Sequence, residues 1–241
     1  MFNNLDYLIY SSHKTSTQSV IKTLRKNNYK SMHLHNLINI KISEEEFITN
    51  LKEYNIKNNK KLKIITIIRN PFDRLLSSFF QTNHSDIIFF KKILPENSLI
   101  SLNDIDKLYS LYKKIIENKS LQGLKESMTE LKEIFNFNFQ TELIKKENYY
   151  HYSNDLCELY VLDFNILISN NALSYMQATL NINLTEYQTE NLSSDKLYYD
   201  KYINLKKQTI NDTELADLIK SFYEKDELSL YYDFLNLKKV I

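Results

Sequence analysis

At 241 residues the chain is long enough for one sizeable core and short for two domains. Its 43% hydrophobic and 25% charged fractions are those of an ordinary globular protein, and a net charge of +1 excludes a broad electrostatic grip on nucleic acid or an anionic membrane, though not a local basic pocket. The single Cys157 excludes an intrachain disulfide framework and fits a reducing compartment; one cysteine with five scattered histidines argues against a structural zinc site. The N-terminus has no charged segment followed by a long apolar run, and no window approaches eighteen apolar residues, so neither a signal peptide nor a membrane span is expected. Gly123, Pro71 and Pro95 are the only residues of their kinds, so Asn and Ser must serve the turns.

Tyr7-Leu8-Ile9-Tyr10 is a short apolar run bounded by polar residues and reads as a buried strand. A hydroxyl-rich stretch with Lys14 follows, and then Val20, Ile21 and Leu24 recur at helical spacing. A second strand is expected over 29–35. Ser43 and Glu46 form a capping-box signature that opens a helix from Glu44 to about Tyr54. Leu62 to Ile68 is β-branched and nearly continuous, as a strand buried on both faces should be. Asn70 and Pro71 then stand as N-cap and first residue of a helix reaching about Phe80. Helices are expected near 103–118 and 120–135, a further strand over 159–164, a helix over 171–180, and three more near 196–207, 212–223 and 227–235. The βαβαβα order, then helices, then βα, predicts one α/β domain over 1–241: three layers, a central parallel sheet flanked by helices, and a helix-rich C-terminal half.

Two stretches carry chemistry. Strand, hydroxyl-rich loop with a lysine, then helix is an arrangement that aims backbone N–H groups and a helix N-terminus at an anion; it is equally an ordinary strand-to-helix connection with Thr17 as N-cap. In the second stretch a buried strand ends in Arg69 and Ser77 lies eight residues further on, two turns into the next helix. An Arg fork and a hydroxyl suit a phosphate. The same residues could instead form an Arg69–Asp73 salt bridge and a small helix-packing position.

Together these stretches resemble the PAPS-dependent sulfotransferases, especially those acting on carbohydrates. That family has a loop like P-K-T-G-T-T-S between a strand and a helix, which cradles the 5′-phosphosulfate; here it is His13-Lys14-Thr15-Ser16-Thr17-Gln18-Ser19. It also has a strand ending R-D/N-P-x-x-R-x-x-S, whose first Arg and last Ser bind the 3′-phosphate; Arg69 to Ser77 match it in full. Within the family the chain looks most like a bacterial group of capsular polysaccharide synthesis proteins, with a His-x-His on the second strand (His33, His35) and a C-terminal N-x-x-x-x-K-W-Y-S signature, of which Asn191, Lys196 and Tyr198 remain and the Trp does not. Ser16 stands where the family has Gly, a substitution that fits a loop of negative φ, and Gln18 replaces a phosphate-contacting Thr. The basic Gly-rich C-terminal loop of the cytosolic small-molecule enzymes is missing.

The resemblance implies a P-loop-like fold and transfer of a sulfuryl group from PAPS to a carbohydrate hydroxyl, with PAP as product and no metal. It assigns Lys14 to the leaving phosphate oxygen. The N–H groups of Thr15, Ser16, Thr17, Gln18 and Ser19, with the Thr17 and Ser19 hydroxyls, hold the 5′-phosphate, and Arg69 and Ser77 hold the 3′-phosphate. Two residues apart on a strand, His33 and His35 share a face and are the candidate general bases, ahead of His13 and the acids Glu44 to Glu46; packing in the core or capping a turn is the alternative for the pair. Helical segments between Asp86 and Phe139 are the expected acceptor wall, their tyrosines stacking on sugar rings or serving the core. The expected partner is a carbohydrate acceptor, with no nucleic acid and no membrane span; the expected location is the cytoplasm, extending to the periphery of the inner membrane. Two rivals remain. One is a catalytically degenerate scaffold in polysaccharide assembly. The other is a P-loop phosphotransferase, against which the G-x-x-x-x-G-K-S/T pattern is absent.

Overall fold

A computed structural model describes residues 2, 4–12, 15–85, 105–117, 127–136, 141–190 and 199–221. In chain order its elements are β1 (Tyr7–Tyr10), α1 (Thr17–Lys26), β2 (Ser31–Leu34), α2 (Leu37–Ile40), α3 (Glu44–Asn58), β3 (Leu62–Ile68), α4 (Pro71–Ser85), α5 (Ile105–Glu117), α6 (Ser127–Phe135), β4 (Ile144–Lys145), β5 (Tyr149–Ser153), β6 (Cys157–Asp163), α7 (Phe164–Leu167), α8 (Ala172–Leu180), α9 (Tyr199–Asn211) and α10 (Thr213–Ser221). Among the described residues the chain is α/β with a mixed six-stranded sheet, and it divides into two compact units. Within the described residues the first unit draws on Met1–Arg69 and Lys125–Glu190, the second on Asn70–Leu124 and Asn191–Glu224.

The first unit holds the sheet, in the order β2-β1-β3-β6-β5-β4. The four strands expected from sequence are β1, β2, β3 and β6, and they pair in parallel. The sheet is not parallel throughout. β5 runs antiparallel to β6 and β4 antiparallel to β5. A tight link forces this direction, because parallel strands need a long crossover. The β4–β5 turn closes with Lys146 N–H donating to the Tyr149 carbonyl at 2.8 Å, and before β6 the Asn154 side chain accepts from the N–H groups of Leu156 and Cys157, both at 2.9 Å.

From β1 the chain crosses one way to β2 and then returns past β1 to β3. Right-handed crossovers in opposite directions put their helices on opposite faces. Accordingly, Phe47 and Leu51 of α3, with Leu131 and Ile134 of α6, pack on the face that carries Leu8, Tyr10, Ile64, Leu159 and Val161. Val20, Ile21 and Leu24 of α1, with Met176 and Leu180 of α8, cover Ile9, Ile65, Ile67 and Leu162. Both faces of β1 and β3 are buried, which is why their sequences are apolar runs rather than alternations.

Asparagine does the work of the missing glycines. Asn28, Asn59, Asn136 and Asn181, just past α1, α3, α6 and α8, all take positive φ between 49° and 65°. Asn tolerates the left-handed region better than other residues with a Cβ and ends helices there.

In the second unit Leu75, Leu76, Phe79 and Phe80 of α4 pack with Leu108, Leu111, Tyr112 and Ile115 of α5 and with Leu205, Leu215 and Ile219 of α9 and α10. Asp212, between α9 and α10, accepts from the Tyr109 hydroxyl (2.6 Å), Lys113 Nζ (2.8 Å) and the Leu215 N–H (3.0 Å). The expected helices near 103–118, 196–207 and 212–223 correspond to α5, α9 and α10; the one over 227–235 lies outside the described residues. Among the described residues no helix is long and apolar enough to cross a membrane.

Candidate functional site

Parallel pairing brings the C-terminal ends of β2, β1, β3 and β6 to one edge of the sheet. The chain leaves β1 in one direction and β3 lies on its other side, so β1 and β3 flank the point where strand order reverses. In open α/β sheets ligands bind in the crevice outside such a point.

The exit of β1 is pinned from both sides. Ser11 is buried; its Oγ accepts from the Ile67 N–H of β3 at 3.1 Å and lies 2.8 Å from Thr15 Oγ1. Thr15 Oγ1 donates to the Ser12 carbonyl at 2.8 Å. His13 and Lys14, between these anchors, lie outside the described residues. Ser16 is the N-cap of α1, with φ 59° and ψ 23° and no side-chain capping bond. The negative φ that would suit a serine in the glycine place is not what the loop takes: it holds a left-handed residue here, as a glycine loop does. Thr17 is the first helical residue, not the cap, and it is buried. No acidic residue enters the first turn, so the partial positive charge of the α1 N-terminus is not offset there. Gln18 is exposed. Ser19 is buried, and its Oγ accepts from the Glu190 N–H at 3.0 Å.

That last contact belongs to a strap. The irregular segment 184–190 runs along α1 from its C-terminal to its N-terminal end. Asn27 Oδ1 accepts from the Thr185 N–H (2.7 Å), Thr23 Oγ1 from the Gln188 N–H (2.8 Å), and Ser19 Oγ from Glu190. Lys26 pairs with Glu186 and Lys22 with Glu190, both at 2.7 Å. Ser19, Thr23 and Asn27 are four residues apart, so they form one stripe down the helix.

His33 and His35 do come together on one side of the β2 exit. Their ring centroids are 4.1 Å apart, edge to face. Both approach the Ser11 carbonyl: His35 Nδ1 at 2.9 Å and His33 Nε2 at 3.4 Å. A carbonyl only accepts, so His35 carries its proton on Nδ1 and its lone pair on Nε2. Burial holds His35 below the usual histidine value, against the raising effect of its bond to Ser11. Glu44, Glu45 and Glu46 are exposed in the first turn of α3, where the Glu46 N–H donates to Ser43 Oγ at 3.1 Å as the capping box requires.

Arg69 follows β3 directly and is half-buried, its guanidinium carbon 4.3 Å from the centroid of the Phe164 ring. The register pairs Ile68 with Asp163, so the next residue of each strand stands beside the other. Asn70 caps α4, its Oδ1 accepting from the Phe72 N–H at 2.8 Å. Ser77 lies on α4 in the second unit and is 7% exposed. Asp73, the sequence-based alternative partner of Arg69, pairs with Lys206 at 2.7 Å and accepts from the Tyr202 hydroxyl at 3.0 Å. Of the tyrosines expected on an acceptor wall, Tyr112 is fully buried and Tyr109 is bonded to Asp212. Asn191, Lys196 and Tyr198 lie outside the described residues.

Sequence reasoning passed over Ser11, Phe164 and Glu130. Ser11 has a signal, being the first polar residue after an apolar strand. Phe164 has one only once the β3–β6 register is known. Glu130, on α6, is 5% exposed; the Tyr10 hydroxyl donates to its Oε2 and the Leu37 N–H to its Oε1 at 3.3 Å. Burial first, and then this bond, push the Tyr10 hydroxyl far above the usual tyrosine range. Among the described residues no group of three His, Cys, Asp or Glu side chains is arranged to hold a metal ion. Comparison of the chain with protein-family models, with curated proteins and with solved structures gives no match.

Proposed function

We propose that the chain is a PAPS-dependent carbohydrate sulfotransferase on a three-layer, P-loop-like fold, of the kind used in bacterial capsular or surface polysaccharide synthesis. The observation that carries this is topological. The hydroxyl-rich stretch at Ser11–Ser19 and the Arg69-Asn70-Pro71 stretch leave adjacent parallel strands at the same sheet edge, where the strand order reverses. Further support comes from the uncapped start of α1 and the left-handed Ser16.

In this reaction the acceptor oxygen attacks sulfur, the bond from sulfur to the phosphate oxygen breaks, and PAP leaves. Transfer of this type has a loose in-line transition state, so positioning and charge stabilisation supply most of the catalysis. Lys14 neutralises the leaving oxygen. The N–H groups at the start of α1 hold the 5′-phosphate, Arg69 the 3′-phosphate, and His33 or His35 takes the acceptor proton.

Calorimetric titration with PAP and with ATP tests the proposal. PAP binding without ATP binding is expected; binding of neither removes both nucleotide-dependent activities. Lys14→Ala should then lower PAPS turnover by on the order of 10²-fold while PAP affinity changes much less, because the lysine acts as the bond breaks. A second proposal, a non-catalytic scaffold, draws on Ser19, whose oxygen is occupied by Glu190 rather than facing a ligand alone. PAP binding with no turnover on any acceptor would favour it.

A further inference from the structure

The Ser11 carbonyl that holds His35 is itself held from behind. Tyr10, one residue before Ser11, ends β1; Leu37, two residues after His35, begins α2. Both reach the same carboxyl group, Glu130, which belongs to a helix more than ninety residues away from either in sequence. The contacts close a ring: Glu130 to Tyr10, on to Ser11, across to His35, through Asn36 to Leu37, and back to Glu130.

A carboxyl group in an apolar core is tolerated only when its oxygens accept hydrogen bonds, and an apolar side chain of similar size would pack there more simply. Both Glu130 oxygens are used, and both are used on the two segments that meet at the candidate base. We infer that Glu130 is a positioning residue for His35, fixing the turn after β2 against the end of β1 so that the Nδ1–H of His35 stays on the Ser11 carbonyl and its Nε2 stays the basic nitrogen. The two histidines show how fine the requirement is: both face the same carbonyl, one at 2.9 Å and the other at 3.4 Å. The inference rests on the sulfotransferase proposal only in giving His35 Nε2 the acceptor proton to receive.

The test reads the tautomer directly. Long-range imidazole nitrogen–proton spectra of the whole chain, labelled at histidine, are compared near neutral pH for the parent, Glu130→Ala, Glu130→Gln and Tyr10→Phe, with His35→Gln to assign the signal. The parent should show His35 as the Nδ1–H tautomer. Glu130→Ala should shift it toward a mixture of tautomers while a cooperative thermal melt persists. Glu130→Gln, which can accept from Leu37 and donate to the Tyr10 oxygen, should restore it. A folded Glu130→Ala with the parent's His35 signal overturns the inference. If that variant does not fold, Tyr10→Phe, which loses one bond and keeps the ring, should still move the His35 signal; no movement overturns the inference. With PAPS consumption as readout, the variants that disturb His35 should lose on the order of 10-fold or more in kcat with PAP affinity unchanged within about twofold, the pattern of a misplaced group rather than a lost binding contact. A parent chain that binds no PAP removes the sulfotransferase proposal, and the tautomer spectra then still decide the role of Glu130.

Discussion

Arg69 and Phe164 meet one residue beyond the paired ends of β3 and β6, the guanidinium carbon 4.3 Å from the ring centroid. Stacking engages the face of the guanidinium, whereas hydrogen bonds to an anion use its edge. The aromatic ring thus orients the arginine without competing for its edge.

Arg69→Ala should accordingly cost PAP binding roughly 2–5 kcal/mol, the scale for losing a charged phosphate partner. Phe164→Ala should cost about 0.5–2 kcal/mol of the same binding, because only the cation–π support is lost. Arg74, buried on α4, serves as the control: its alanine variant should lower thermal stability and change PAP affinity much less. Calorimetry showing equal affinity losses for Arg69→Ala and Arg74→Ala would refute the assignment of Arg69.

Ser16→Gly should stabilise the protein. A left-handed conformation costs a residue with a Cβ about 1–2 kcal/mol, and the greater freedom of glycine in the unfolded chain returns about 0.5–1 kcal/mol of that. The expected net gain is up to about 1.5 kcal/mol, read as a higher urea midpoint at unchanged slope. A lower midpoint would contradict the positive φ of Ser16.

Much of the sheet was legible because its strands are buried on both faces. Tyr7–Tyr10 and Leu62–Ile68 lie where their apolar runs placed them, and Asn70 caps α4 as the Asn-Pro pair indicated. β4 and β5 left no comparable trace: β4 is two exposed residues, and the 146–148 turn has neither glycine nor proline. Phe164 reads as the last strand residue, yet Asp163 accepts from the Asn165 N–H and starts a helical turn there. In the candidate site, a period-two pattern is enough to put His33 and His35 on one side. Nothing local in the sequence links Glu130 to Tyr10, or Glu190 to Ser19, since these contacts span 120 and 171 residues.

Asp212 should tie the second unit to pH. Bonds from Lys113 first, then Tyr109 and the Leu215 N–H, hold its carboxyl below the usual aspartate range. A carboxyl lowered on folding stabilises the native state above its unfolded value near 4, and that stability is lost as pH falls through the lower native value. Acid unfolding followed by circular dichroism should therefore begin at higher pH, and show a weaker dependence below about pH 4, in Asp212→Asn than in the parent. Superimposable acid limbs would show that the Lys113–Asp212 pair contributes nothing.

Cys157 should be silent to thiol reagents in the native protein. It is fully buried in the sheet core, and burial pushes its thiol up to about 12. Only the thiolate reacts, so labelling at mildly alkaline pH should wait for unfolding and follow its rate. Rapid native labelling would mean that β6 opens locally.

The strap over α1 bears on the order in which the chain can fold. α1 is made well before its partners, and its stripe of Ser19, Thr23 and Asn27 is satisfied only when Thr185, Gln188 and Glu190 have emerged, some 158 to 171 residues later. Contacts so distant in sequence form late, after the chain entropy between them has been lost. A nascent or truncated chain ending before residue 184 would present that stripe, with Lys22 and Lys26 beside it, to water or to a chaperone. The helix that begins at the hydroxyl-rich loop is in this sense locked by a segment made long after it, and the N-terminal turn of α1 should be among the last parts of the first unit to acquire its native protection from hydrogen exchange.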